Sequence, residues 1–459
     1  MQQRERFGSR LGFILISAGC AIGLGNVWKF PYITAQNGGA AFILIYILFL
    51  ILLGIPIMTT EFAVGRGSRK SIAQSFRTLE PKGTKWHAFG VIGVIGNYAL
   101  MAFYTVVSGW MLMYIVKMVR GDFVGLDASQ VGASFGAMLG APVGQIICMV
   151  IMVLLGFFIC SMGLEKGVEK ITKVMMTLLI VIMAILAIRS VTLEGAGAGV
   201  EYYLKPDFSK IFGQGFSHMN SVLFAAMGQA FFTLSIGMGS MAIFGSYIGK
   251  ERRLMGEAIS VTALDTLVAF TAGLIIIPAC FAYGVDINAG PPLIFITLPN
   301  IFNAMPLGRL WGALFFVFML FAALSTLVAV FENIISFAMD RLGWSRKKSA
   351  WLNCVFVIII SLPALFGNNI WSAFQPLKAG GTVLDLEDFI VSNNILPLGS
   401  LIYVLFCCLK SGWGWDNYLL EANTGKGIAF PKALRTYMTY IVPLIIIYVF
   451  VMGYIGFFS

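Results

Sequence analysis

The sequence predicts an all-α integral membrane protein of eleven transmembrane helices. Three observations carry that prediction: 59% of the 459 residues are hydrophobic, only 11% are charged, and stretches such as 128–164 and 211–249 contain no Asp, Glu, Lys or Arg. A soluble domain carries about a quarter charged residues, whereas ~20 consecutive apolar residues are enough to cross a bilayer as a helix. So apolar a composition excludes disorder. All seven cysteines sit inside apolar stretches, so a disulfide framework is excluded as well.

Taken in order, the spans are 11–36, 41–65, 87–118, 142–162, 168–189, 213–248, 254–284, 309–340, 348–367, 384–409 and 434–457. The net charge of +10 does not point to nucleic acid, because the basic residues cluster in short segments between apolar runs. With the N-terminus inside, 23 of the 31 basic residues fall on inside segments, seven fall outside, and Lys29 alone lies within a span. That asymmetry places the N-terminus in the cytoplasm and the C-terminus outside. Met1 to Arg10 holds three arginines, but no small-residue cleavage site follows, so no cleaved signal peptide is expected.

Two spans cannot be regular helices throughout. The first contains Gly19, Gly23, Gly25, Asn26 and Pro31 within thirteen residues. The sixth contains Thr233, Ser235, Gly237 and Gly239 at a comparable depth. Unwinding a helix in hydrocarbon leaves amides and carbonyls unpaired at several kcal/mol each, unless they face a cavity or bind something. Freed carbonyls suit cations, and a half-helix N-terminus suits a carboxylate. Five spans separate the two breaks, and an odd offset reverses orientation, as in inverted repeats that each open with a broken helix. Glycine alone is better explained by close helix packing than by a break.

The runs Gly23 to Pro31 (GLGNVWKFP), Phe232 to Gly237 (FTLSIG), Phe295 to Phe302 (FITLPNIF) and Leu384 to Phe389 (LDLEDF) resemble the neurotransmitter:sodium symporter family. The resemblance extends from Arg10 to about span ten, with the motifs in order. It implies the leucine-transporter fold, which is the standard worked case of inverted repeats with broken helices. Here the division would be 1–190 for the N-terminus and first repeat, 191–412 for the second, and 413–459 for a loop and span eleven.

The resemblance also implies two sodium sites. The first would use the Ala21 carbonyl, the Asn26 side chain, Thr233 and Asp265, completed by a substrate carboxylate. Relatives commonly carry Asn at the position of Asp265, and the chloride-dependent ones need a bound anion nearby. A buried carboxylate supplies that charge permanently, so no chloride is expected, and an intramembrane acid is a functional candidate by default. The second site would use the Gly19, Ile22 and Ala322 carbonyls with Ser325 and Thr326, an all-oxygen set fit for a hard cation.

Monoamine carriers in the family place an aspartate where this chain has Gly23. Its absence implies an amino-acid substrate, whose carboxylate meets the amides around Gly23 and Gly25, the first sodium ion and the Tyr104 hydroxyl. The ammonium would meet carbonyls of Ala21, Phe232 and Thr233 and the Ser235 hydroxyl. Leu100, Phe232, Met238, Thr326 and Val330 would line an uncharged side-chain pocket, so a hydrophobic or aromatic amino acid is expected. Lys29 with Asp388 would form the outer gate, Arg4 with Asp340 the inner gate, and Tyr247 would lie beside the latter, with Phe7 in the place of a tryptophan plug. Glu61 would brace both unwound segments, and Glu332 would belong to the inner pathway. Many relatives pair a glycine at the start of span five with a proline ten residues on. Here Gly167 is followed by Thr177.

The expected protein is therefore a symporter, not an enzyme, embedded in the plasma membrane and coupling sodium entry to amino-acid uptake. Spans one, two, six and seven would rock against three, four, eight and nine. A channel is disfavoured because the broken motif occurs twice in one chain rather than as a ring. An enzyme is disfavoured because no nucleophile, base and metal constellation lies at midplane depth. Proton coupling through Asp265 or Glu61 is the remaining alternative within the same fold. Oligomeric state is not legible.

Overall fold

The computed structural model describes residues 7–285, 293–377 and 380–458. Among these, nine helices are long and apolar enough to cross a membrane, and a bent pair makes a tenth. The bent pair is the first span, Arg10–Ala21 and Gly25–Gln36, with a 61° change of direction between them. Next come Ala40–Ser68, His87–Arg120, Pro142–Ser161, Leu164–Val191, Leu254–Ala282, Gly308–Leu342, Arg346–Phe366, Val383–Cys408 and Lys432–Ile455. Each falls within a few residues of its predicted span. The sixth predicted span is two helices, Phe216–Thr233 and Ser240–Tyr247, which are not among the ten.

Both breaks sit where the sequence places its glycines. The stretch 22–24 separates the halves of span one, and 234–239 separates those of span six. Within the second break Gly237 and Gly239 adopt φ of 100° and 76°, the left-handed region that favours glycine. Ser235 takes the same region at φ 50° without that freedom, a strained choice for a residue with a Cβ.

Spans eight and three are the most enclosed, with 78% and 72% of their apolar windows buried, whereas span eleven is least enclosed at 28%. The molecule is thus built round spans three and eight, and the broken helices pack against that centre. Outward-facing leucines, isoleucines and valines such as Leu44, Ile51, Ile185 and Leu444 leave an apolar belt suited to lipid. Between spans ten and eleven a short helix, Trp415–Ala422, is held by the fully buried Arg66 of span two, whose Nε donates to Glu421 Oε1 at 2.6 Å.

Candidate functional site

Unwinding span one frees its amides, and two side chains take them up. The Gly23 amide donates to Asn26 Oδ1 at 3.0 Å and the Leu24 amide to the Tyr104 hydroxyl at 3.4 Å. In span six the Gly237 amide donates to Glu61 Oε1. Among the described residues Glu61 therefore braces span six and not both segments as expected, because the amides of Gly23 and Leu24 are already served by Asn26 and Tyr104. The second oxygen of Glu61, like the Ser400 and Tyr403 hydroxyls, is buried without a hydrogen-bond partner among the described residues.

Of the residues expected at the first ion site, Asn26, Thr233 and Asp265 are brought together. Asn26 Nδ2 donates to Thr233 Oγ1 at 2.9 Å and to Asp265 Oδ1 at 2.7 Å, and Thr233 Oγ1 donates to Asp265 Oδ2 at 2.9 Å. All three side chains are buried. The Asn26 amide thus gives its NH2 to Thr233 and Asp265 and its oxygen to the Gly23 amide, and spans one and six meet on the carboxylate that span seven supplies.

The residues of the predicted second site also meet. Thr326 Oγ1 lies 3.3 Å from the Gly19 carbonyl, 3.0 Å from that of Ile22 and 3.4 Å from that of Ala322, while Ser325 Oγ lies 2.8 Å from the Ala322 carbonyl. Gly19 permits this approach, since a Cβ there would stand 3.1 Å from the Ser325 Cβ.

Thr326 of the second cluster, and Gly25 and Phe232, the chain neighbours of Asn26 and Thr233, line a cavity of about 310 Å³. Ala21, Gly23, Gly25, Tyr104, Ser235 and Thr326 face it from the unwound segments and their neighbours, and Leu100, Phe232 and Met238 give it an apolar wall. A Cβ on Gly23 would stand 2.7 Å from the Tyr104 hydroxyl and 3.0 Å from Thr326 Oγ1, and one on Gly25 2.7 Å from the Phe232 ring. Both glycines are therefore required for the space. One expected lining residue is elsewhere: Val330, one turn beyond Thr326, is buried and does not line the cavity. Sequence reasoning missed Phe103 and Val107, which the cavity adds. They lie three residues beyond Leu100 and Tyr104, so the helical period could have found them.

Lys29 and Asp388 both line the cavity, but among the described residues no ion pair joins them. Lys29 Nζ stands 4.0 Å from the centre of the Phe232 ring, and Asp388 Oδ1 accepts from Ser392 Oγ at 2.7 Å. The expected outer gate is thus open in its charges: the ammonium rests on an aromatic face, and the carboxylate is satisfied within its own helix. At the opposite end Phe7 packs edge-on to Tyr247, 5.6 Å between ring centres, and close to Phe13 and Phe244. Arg4 lies outside the described residues, and Asp340 accepts from the Ser71 amide at 2.6 Å. Tyr247 donates to Glu332 Oε1 at 2.7 Å, and Glu332 is held by Arg346 at 2.7 Å. Arg346 escaped the sequence reading because it looked like one more positive-inside residue.

The profile of the sodium:neurotransmitter symporter family matches residues 4–124 and 137–459. The chain belongs to that family. It is 36% identical over 451 residues to YhdH, an uncharacterized sodium-dependent transporter of Bacillus subtilis, covering 98% of this chain and 97% of that one. An uncharacterized sodium-dependent transporter of Haemophilus influenzae is 33% identical, with 98% of each chain covered. More distantly, the sodium- and chloride-dependent creatine transporter 1 of Oryctolagus cuniculus is 26% identical over 84% of this chain and 69% of its own. Among solved structures, MhsT in complex with L-phenylalanine superposes with a TM-score of 0.86 at 36% identity, covering 98% of this chain and all of that one. The family member described here is accordingly an all-α, multi-pass, sodium-coupled transporter of the leucine-transporter fold, not an enzyme.

Proposed function

We propose that this symporter imports a hydrophobic or aromatic amino acid with two sodium ions, without chloride, by alternating access in the plasma membrane. The observation that carries this reading is the cavity lined by both unwound segments: Leu100, Phe232 and Met238 on an apolar wall, unwound backbone and the Tyr104 hydroxyl on another, and Lys29 and Asp388 also in its lining. An amino acid has that same division between side chain and charged head. A carboxylate lying near Gly23 and Gly25 would meet helix-end amides and the ion at Asn26, Thr233 and Asp265, so each ligand would complete the other's coordination. The phenylalanine bound in MhsT supports the substrate class.

Asp265 supports chloride independence, because its carboxylate brings a fixed negative charge to the first ion cluster, where neutral side chains would leave two cations to be balanced by an added anion. The oxygen set at Gly19, Ile22, Ala322, Ser325 and Thr326 supports a second sodium. The charge asymmetry of the loops supports a cytoplasmic N-terminus and an external C-terminus. In this reading the pair Phe216–Thr233 and Ser240–Tyr247 is one broken span, giving eleven, with repeats at 1–190 and 191–412 and an added segment at 413–459.

Uptake of radiolabelled amino acids into proteoliposomes, under an imposed sodium gradient and with or without chloride, tests the proposal. Uptake of an apolar amino acid that requires sodium and ignores chloride is expected. Uptake indifferent to sodium would move the coupling to a proton at Asp265 or Glu61, and no uptake of any amino acid would reject the substrate class.

A further inference from the structure

The start of span five grips the start of span one. The Gly8 amide donates to Glu169 Oε2 at 2.7 Å, and the Ser9 hydroxyl donates to Glu169 Oε1 at 2.9 Å. Lys173 Nζ reaches both Ser9 Oγ and Glu169 Oε1, each at 2.6 Å. Ser9 in turn caps the helix Arg10–Ala21 by accepting from the Gly12 amide at 3.0 Å. The Glu169 side chain is only 3% exposed, and Gly12 lies so close that a Cβ there would overlap the carboxylate. On its other side the start of span one is also tied by Arg10 to Glu257 at 3.0 Å, but Arg10 is 44% exposed, so solvent screens that pair.

Glu169 ends a π-helical turn, Leu164–Glu169, that follows Gly163 at φ 98°. Beyond it Lys170–Val191 is an unbroken α-helix through Thr177, whose hydroxyl donates to the Lys173 carbonyl at 2.8 Å. Without a proline at 177, the irregular part of span five is this wide turn alone. Such turns hold one residue more than an α turn and can change register without breaking the helix. Withdrawing span one would ordinarily strand a buried carboxylate, which is strongly unfavourable. Here Lys173, four residues on along the same helix, remains with Glu169 wherever span one goes.

We propose that Glu169 and Lys173 are the latch that positions the inner half of span one, and that the inner side opens when Gly8 and Ser9 leave Glu169. The carboxylate then rests on Lys173 alone, and the 164–169 turn takes up the movement. This rests on the transport reading above, with the N-terminus cytoplasmic. Glu169 acts as a positioning residue, through span one.

Hydrogen exchange measured by mass spectrometry on the full chain, sodium-free, tests the latch with Ser9→Ala and Glu169→Gln. Amides 8–16 should exchange about tenfold faster, the size of one lost charge-assisted hydrogen bond, while 170–191 stays unchanged. In uptake assays the same variants should need several-fold more sodium for half-maximal rate, with maximal uptake retained, and Glu169→Asp should recover part of the shift. Unchanged exchange over 8–16 in folded Glu169→Gln would overturn the proposal. So would a rise spread equally over 170–191, which would mean that Glu169 holds span five together instead. The exchange measurement involves neither ion nor substrate, so its failure sinks the latch alone, whereas wild-type protein without uptake sinks the transport reading.

Discussion

Replacing Asp265 with Asn removes the only charge from the first ion cluster and leaves its volume nearly unchanged. In the folded protein this carboxylate accepts from Asn26 Nδ2 at 2.7 Å and from Thr233 Oγ1 at 2.9 Å, and it is fully buried. A unit charge about 4 Å from a cation, at an effective dielectric of about 20, contributes roughly 4 kcal/mol of attraction. Part of that is offset by the cost of keeping the bare carboxylate buried, which Asn does not carry. If about half survives, the variant binds sodium about 2 kcal/mol more weakly, a loss of roughly thirtyfold at 1.4 kcal/mol per decade. An amide NH2 also meets the Asn26 NH2 donor to donor, so one of the two must turn. The assay is sodium titration of amino-acid uptake in proteoliposomes, with chloride or with an impermeant organic anion. The expected result is a thirtyfold weaker sodium dependence that chloride partly restores. Unaltered sodium affinity together with indifference to chloride would refute the charge-balance reasoning.

Three further substitutions follow from the same geometry. Gly23→Asp puts a Cβ 2.7 Å from the Tyr104 hydroxyl and a second carboxylate where the substrate's own should lie, so amino-acid binding measured by scintillation proximity should vanish. Thr326→Ala removes the hydroxyl placed 3.0 Å from the Ile22 carbonyl and 3.3 Å from that of Gly19, and should weaken sodium-induced thermal stabilisation about tenfold in sodium concentration, the ~1.4 kcal/mol of a single polar contact. Glu332→Gln takes away the carboxylate 2.7 Å from the Arg346 guanidinium, which is 12% exposed, and should destabilise the fold by about 3 kcal/mol in a thermal melt, with Arg346→Met in the same chain recovering part of the loss.

The span order and the two breaks were legible in the sequence itself, because they depend on hydrophobic length and on local glycine runs, whereas the residues of both oxygen clusters were reached only through the family resemblance. Hydrophobic length fixes spans whatever their packing, which is why 87–118 was found as His87–Arg120. What escaped depends on which of two available partners a group takes. Lys29 had a carboxylate and an aromatic face within reach, and the ring holds it. Glu61 had two unwound segments to brace, but Asn26 reaches the Gly23 amide from three residues away, a local bond that a distant acid does not displace. Arg346 and Glu169 were illegible for another reason. Their importance lies in burial, and a basic or acidic residue at a span end looks the same in sequence whether it faces water or a neighbouring helix.

The inner half of span one is a helix of twelve residues, Arg10–Ala21, about 18 Å long. Its two ends are held by different things. At the far end the Gly19 carbonyl and that of Ile22, the residue after Ala21, belong to the proposed second sodium site against span eight, and at the near end Ser9 and Gly8 belong to the proposed latch against span five. Gly12 and Gly19 are seven residues, or roughly 10 Å, apart along it. If the helix moves as one body, loss of either hold lowers the cost of losing the other, so a sodium ion leaving Gly19 and Ile22 loosens Glu169, and an opened latch weakens sodium. Linkage then requires one number in both directions. The factor by which Ser9→Ala weakens sodium binding must equal the factor by which removing sodium weakens the latch, read from exchange at the first amides of the helix. A factor of one in both directions would mean that the helix bends between its ends and that the ion and the latch act as separate gates.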